Sequence, residues 1–203
     1  YRIEVRSREA PSNDDPLLAD IAALGIQGVQ RIERGALYFL RGALTEAKVA
    51  RLCDELLVDP IIETACVSLA ADPPLTPTGA VRVEVGLLPG VTDSVAGNIL
   101  ARAELLGILG LRAAATAQWY LLYGDLDRAT TEEIARRLLY NQVIQYVEIG
   151  PLTPHVGVEP PQIRPRAERI SLAAMDDEAL LCTSRQRLLS LDLAEMKAIQ
   201  AYF

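Results

Sequence analysis

A chain of 203 residues, half of them hydrophobic, is long enough to bury a core as one large domain or two small ones. No apolar run approaches the roughly 18 residues a membrane span needs, and no basic-then-apolar segment opens the sequence. A formal net charge of −7, with the basic residues scattered, excludes nucleic acid and anionic membranes as expected partners.

In chain order, Ile3 and Val5 alternate with polar residues as in a strand. Asp14, Asp15 and Asp20 follow, and they read as turn and cap residues in preference to cation ligands. A short helix ends at Gly25, the residue type that accepts a left-handed C-terminal turn. Two strands are expected near 29–33 and 36–41. The next helix places Val49, Leu52, Cys53, Leu56 and Leu57 on one apolar face. Cys53 therefore reads as core, since no His is at hand to activate it. A strand, "IIETACVSL", closes this region, and the proline-rich "ADPPLTPTG" (71–79) follows as an extended linker.

The same order then recurs. "LGIQG" at Leu24 returns as "LGILG" at Leu106, an offset of 82. Between 24–62 and 106–144, 12 of 39 ungapped positions are identical, where chance would supply roughly three or four. "RIEV" at Arg2 matches "RVEV" at Arg82, an offset of 80. The second copy thus predicts a strand on Val81, Val83 and Val85, a helix ending at Gly107, and strands near 111–115 and 118–123. Trp119 and Tyr120 open the second of these strands. A helix at "TTEEIARRLLYN" follows, with Thr130 and Glu133 at capping-box spacing, and "VIQYVEIG" is the closing strand. The fold class expected is α+β: two ferredoxin-like (βαββαβ) repeats packed as an intramolecular pseudo-dimer, followed by a short helical tail. The boundaries are 1–70 for the first repeat, 71–79 for a linker, 80–150 for the second repeat, 151–168 for a proline-rich linker and 169–203 for the tail.

"LLPGVTDSVAG", between the first strand and helix of copy two, poses the functional question. Pro89-Gly90 fits the centre of a type II turn, and Asp93 or Ser94 caps the next helix. A phosphate loop would need G-x-x-x-x-G-K-[ST] or G-x-G-x-x-G, and neither is present. Elsewhere the chemistry is sparse. Cys53, Cys66 and Cys182 are too few and too far apart for a disulfide framework and suit a reducing compartment. The single histidine, His155, stands in the second linker and reads as solvated or docked on the surface, so an ordinary zinc site is not expected. No catalytic constellation emerges.

In the tail, Asp192 and Glu195 form a second capping-box pattern ahead of Leu193, Met196, Ile199 and Phe203. Residue 1 is Tyr, not Met, and the helical pattern still runs at Phe203. A fragment of a longer protein is the expectation.

These residues carry a resemblance. "VRVEVGLLPGVTDSVAGNILARAELLG" is similar to the start of PurS, the small subunit of phosphoribosylformylglycinamidine synthase, through Pro89, Gly90, Val91, Asp93, Gly97, Leu106 and Gly107. "CDELLVDPIIET" and "RRLLYNQVIQYV" resemble that subunit's closing segment, and "LLSLDLAEMKAIQAYF" resembles the segment opening the synthetase subunit, PurL. The first copy departs from the pattern, with "SREAPSNDDP" in place of the Pro-Gly-Val turn. The resemblance implies a non-catalytic amino-terminal assembly domain of that cytoplasmic ligase, which amidates formylglycinamide ribonucleotide in purine biosynthesis. ATP and magnesium would bind in the parent enzyme's synthetase body and not in this chain. The implied partners are a glutaminase subunit or domain, the chain's own catalytic body and, as a further option, a second copy. The implied role is to dock synthetase to glutaminase and help enclose the ammonia path, with Pro89, Gly90, Val91, Asp93 and Gly97 as the assembly turn. A regulatory small-molecule module built of paired ferredoxin-like units is the alternative.

Overall fold

A computed structural model describes residues 1–11, 15–72, 74–157 and 169–202. The chain divides into two compact units, Tyr1–Pro161 and Gln162–Phe203. It is a mixed α+β protein, and its described residues form an antiparallel six-stranded sheet and six helices. No described helix is long and apolar enough to cross a membrane.

The first unit runs β1 (Arg2–Ser7), α1 (Pro16–Ala23), β2 (Val29–Gly42), α2 (Glu46–Leu52) and β3 (Glu63–Ser68), then repeats the order. The second set is β4 (Ala80–Leu87), α3 (Ser94–Leu105), β5 (Leu111–Gly124), α4 (Arg128–Ile134) and β6 (Gln145–Ile149). Helices α2 and α4 each widen into a π turn, over Cys53–Leu57 and Ala135–Leu139. The caps are local chemistry: Asp15, Thr45, Asp93 and Asp127 each accept a backbone N–H from the first turn of the helix that follows. Asp127 therefore takes the cap expected of Thr130. Gly25 and Gly107 end their helices at φ 78° and 69°, as their positions predicted.

Among the described residues each half has three strands, not the four expected. The pairs expected near 29–33 and 36–41, and near 111–115 and 118–123, are the single long strands β2 and β5. Gly35 is the reason on the first strand. It marks a close approach and not a turn: a Cβ there would stand 2.9 Å from the Trp119 ring, which lies across it to donate to the Val5 carbonyl at 3.2 Å. Trp119 is accordingly mid-strand.

β2 and β5 pair antiparallel along nearly their whole length and join the halves edge to edge, in the order β3-β1-β2-β5-β4-β6. Ala36 stands opposite Gln118, the residue 82 positions on. The repeat offset and the strand register therefore coincide, and a pseudo-twofold axis passes between these two residues.

The helix-covered face holds two cores, and neither belongs to one half of the sequence. Ile3, Val5, Leu40, Val49, Leu52 and Cys53 of the first copy pack with Ile99, Ala103 and Ile108 of the second. Val83, Val85, Tyr120, Leu122, Ile134 and Ala135 of the second copy pack with Leu17, Ile21 and Ile32 of the first. The first helix of each copy is thus exchanged and covers the core built on the other copy's second helix. Burying a side chain such as Leu17 or Ile21 contributes about 1.5–3 kcal/mol, so the exchange binds the copies together. Most equivalent positions do equivalent work, Ile3 with Val83, Leu52 with Ile134 and Ala103 with Ile21.

The second unit holds α5 (Asp177–Gln186) and α6 (Leu193–Tyr202), with Leu180 and Met196 buried. Ser184 donates to the Leu191 carbonyl at 2.8 Å and accepts from its N–H at 3.1 Å. The Asp192–Glu195 capping box forms reciprocally, both bonds at 2.9 Å.

Candidate functional site

The candidate turn connects β4 to α3. The Val91 N–H donates to the Leu88 carbonyl at 3.1 Å, and Gly90 has φ 91°, the type II arrangement that Pro89-Gly90 predicted. Asp93 fixes the turn from both sides. One carboxylate oxygen accepts from the Ala96 N–H at 2.8 Å and caps α3. The other accepts from the Thr116 N–H at 2.7 Å and its hydroxyl at 2.9 Å, on β5. Gly97 joins Asp93 only through the helical bond from its N–H to the Asp93 carbonyl at 3.1 Å, and is exposed on α3 with open space where a Cβ would stand.

The structure thus brings Pro89, Gly90, Val91 and Asp93 together on one wall of a cavity of about 150 Å³, while Gly97 is not among the lining residues. Ala115 and Ala117 line it from β5, and Tyr146, Leu152 and His155 from β6 and the segment after it. That segment opens the proline-rich linker; its residues 151–157 are described, and 158–168 lie outside the described residues. It is held to the sheet at several points. The Leu152 N–H donates to Glu84 at 2.9 Å, the Tyr146 hydroxyl donates to the Thr153 carbonyl at 2.8 Å, and His155 packs on the Tyr146 ring at 4.8 Å between centroids. Gly86 makes room, since a Cβ there would stand 2.7 Å from the Tyr146 ring. Burial, then Glu148 and Glu84 nearby, push the Tyr146 phenol up to about 12.

The same anchor leads to a feature that the sequence pattern concealed. Arg2, Glu4, Arg82 and Glu84 form a buried quartet on the sheet face opposite the helices. Each arginine pairs with both glutamates: Arg82 Nη1 lies 3.0 Å from Glu4 and 2.9 Å from Glu84, and Arg2 Nη2 lies 2.8 Å from Glu4 and against Glu84. Arg2 also lies over the Phe39 ring and Arg82 over Trp119. Among the described residues no buried side-chain nitrogen or oxygen lacks a partner. Burial alone would lower the Arg2 pKa, but hydrogen bonds to Glu84 and Glu4 outweigh it and raise it. The signal was the Arg-x-Glu of "RIEV" and "RVEV". Alternation assigns those residues to the face away from the core, where solvent is the default.

The pseudo-twofold places a different chemistry in the first half. There Asp15 caps α1 and pairs with Arg34 at 3.3 Å, where Asp93 bonds Thr116. A cavity of about 440 Å³ beside it is lined by Arg6, Asp15, Glu33, Arg34 and Trp119. Asp14 lies outside the described residues, and Asp20 is exposed on α1. Cys53 is buried, and burial, with Asp54 nearby, pushes its thiol up to about 11, the reverse of an activated nucleophile. Cys66 and Cys182 are exposed.

No protein-family model matches the chain, and no curated protein matches it. At this site Asp93 is engaged by three donors, and burial keeps the Tyr146 phenol protonated at neutral pH.

Proposed function

We propose that the chain is a non-catalytic amino-terminal assembly domain of phosphoribosylformylglycinamidine synthase, built of two PurS-like repeats and the start of the PurL-like synthetase subunit. The observation that carries this reading is the Pro89–Asp93 turn, held rigidly at the surface by the Asp93 bonds to α3 and β5. Such a turn presents a fixed backbone shape to a partner at little entropic cost. The repeated element order and the pseudo-twofold register support a fused pair. On this reading each repeat is a ferredoxin-like unit whose two middle strands run on as one, with its first helix lent to its neighbour.

The parent enzyme would be a cytoplasmic ATP- and magnesium-dependent ligase of purine biosynthesis, with both cofactors bound in its catalytic body. This domain would dock that body to the glutaminase and help enclose the ammonia path. The test is to join the chain to a PurL-type catalytic body and measure glutaminase association. Replacing the half-buried Val91 by Ser should weaken association about tenfold with folding retained. Unchanged association, or ATP turnover by the isolated chain, would overturn the reading.

The roughly 150 Å³ cavity, smaller than ordinary ligand pockets, leaves room for a compact molecule of amino-acid size and so supports a second reading, a regulatory module for a small molecule. Calorimetry with glutamine, purine nucleotides and amino acids separates the two. Micromolar binding lost on enlarging Ala115, a cavity wall, supports regulation.

A further inference from the structure

The two pseudo-symmetric ends of the first unit should look alike, and they do not. At the end of α3, Leu105 is 84 % exposed, Leu106 37 % and Leu109 65 %, although Ile108 between them is buried. The positions 82 earlier are Ala23, Leu24 and Gln27. Exposed leucines this close together form a patch, unlike singly scattered ones.

Charge follows the same division. Lys48 donates to the Leu109 carbonyl at 2.6 Å and Arg51 to the Leu106 carbonyl at 3.4 Å, so both cations stand at the leucines. Arg102 lies one turn before them on α3, and Arg112 follows three residues after Leu109. Against these four cations stand Glu55, paired to Arg51 at 2.8 Å, and Glu104. The related positions at the other end are Thr130 for Lys48, Glu133 for Arg51, Asp20 for Arg102 and Gln30 for Arg112, with Arg137, paired to Glu133 at 3.4 Å, for Glu55 and Ala22 for Glu104. One end is apolar and cationic; its counterpart is smaller, more polar and mildly acidic. The core under both ends is equivalent, so packing does not require the difference.

We propose that the Leu105–Leu106–Leu109 patch, rimmed by Lys48, Arg51, Arg102 and Arg112, docks an acidic amphipathic segment of a partner protein. Leucine side chains of the segment would cover the three leucines, and its carboxylates would meet the four cations. Apolar contacts would supply affinity, and the rim would steer encounter and choose the partner. The net charge of −7 opposes the approach of a broad anionic membrane, whereas a short acidic segment senses chiefly the cations within a screening length of about 10 Å. The patch stands apart from the assembly turn, which lies at the opposite end of α3, and its docking does not depend on the parent enzyme.

The test uses the full chain and a synthetic helical peptide with Leu at i and i+4 and Glu at its other exposed positions. The peptide should bind, less tightly at higher salt, and Leu105→Ser with Leu109→Ser should weaken it about tenfold. Arg102→Glu alone should weaken it at low salt and much less at high salt. All three side chains are exposed, so thermal unfolding should stay near that of the parent chain. Absence of peptide binding, or binding indifferent to these variants, would overturn the proposal. So would preferential binding to phosphatidylserine vesicles, or self-association of the parent chain that the leucine variants abolish.

Discussion

Arg2 and Glu84 stand 82 positions apart in the chain, on two strands separated in the sheet by β2 and β5, yet their side chains meet directly. Arg2 donates to both carboxylate oxygens of Glu84, Nη1 to Oε2 at 3.1 Å. With Glu4 and Arg82 they form a neutral, buried and fully bonded cluster across the pseudo-twofold. Apolar residues of equal volume could fill such a space as stably. The quartet is better understood as a device of specificity, since it is satisfied only when both copies stand in this register.

Glu84→Gln should therefore destabilise the fold by about 3 kcal/mol, because it leaves two guanidinium groups short of buried negative charge. Urea unfolding of Arg2→Met, Glu84→Gln and the double variant should show coupling above about 1 kcal/mol. Additive effects would mean the pair does not act as a unit.

Two glycines should respond in opposite directions. Gly35→Ala places a methyl group against the Trp119 ring and the Val5 carbonyl, and should cost about 2–4 kcal/mol or prevent folding. Gly97→Ala adds a methyl into open space inside α3 and should stabilise by about 0.5–1 kcal/mol. Thermal unfolding of both variants gives the comparison. A destabilised Gly97→Ala would contradict the placement of that residue.

Asp93→Ala removes the α3 cap and the acceptor for both Thr116 donors, so a loss of about 2 kcal/mol is expected. Thr116→Val, which removes only the hydroxyl bond, should cost about 1 kcal/mol. Equal losses in the two variants would show that the cap and the Thr116 N–H bond together contribute nothing.

Alkali should weaken the fold before it would weaken an average protein. Burial raises the Cys53 thiol from 9.0 to about 11, so the folded state holds its proton where the unfolded chain has released it. That contribution is complete below about pH 9 and is lost as pH rises towards 11, a change of order 1–3 kcal/mol. Cys53→Ala should flatten the profile between about pH 9 and 10 and make it shallower above, where Tyr146, also raised by burial, continues the fall. At pH 8 a thiol reagent should label Cys66 and Cys182 readily and Cys53 only on unfolding. Prompt labelling of all three would refute the buried assignment.

The local elements were legible because their causes are local. Pro89-Gly90 makes its turn through proline's fixed φ and glycine's freedom, and Asp93 and the Asp192–Glu195 pair cap through oxygens a few bonds away. Gly25 and Gly107 end helices for the same kind of reason. The repeat was legible as identities at one offset. The single long strands were not, because Gly35 looks the same in a sequence whether it turns the chain or admits the Trp119 ring from another strand.

The sequence by itself determined that this is an α+β chain with an internal repeat, a capped Pro-Gly turn in its second copy and no apolar stretch of membrane-spanning length. Only the tertiary structure decided how the copies combine: the pairing of β2 with β5, the exchange of α1 and α3 between cores, and the burial of Arg2, Glu4, Arg82 and Glu84. Local pattern records which side of a strand a residue occupies. It does not record what will cover that side, and here the cover comes from residues some 80 positions away. For that reason the polar face of two strands became the charged joint between the halves.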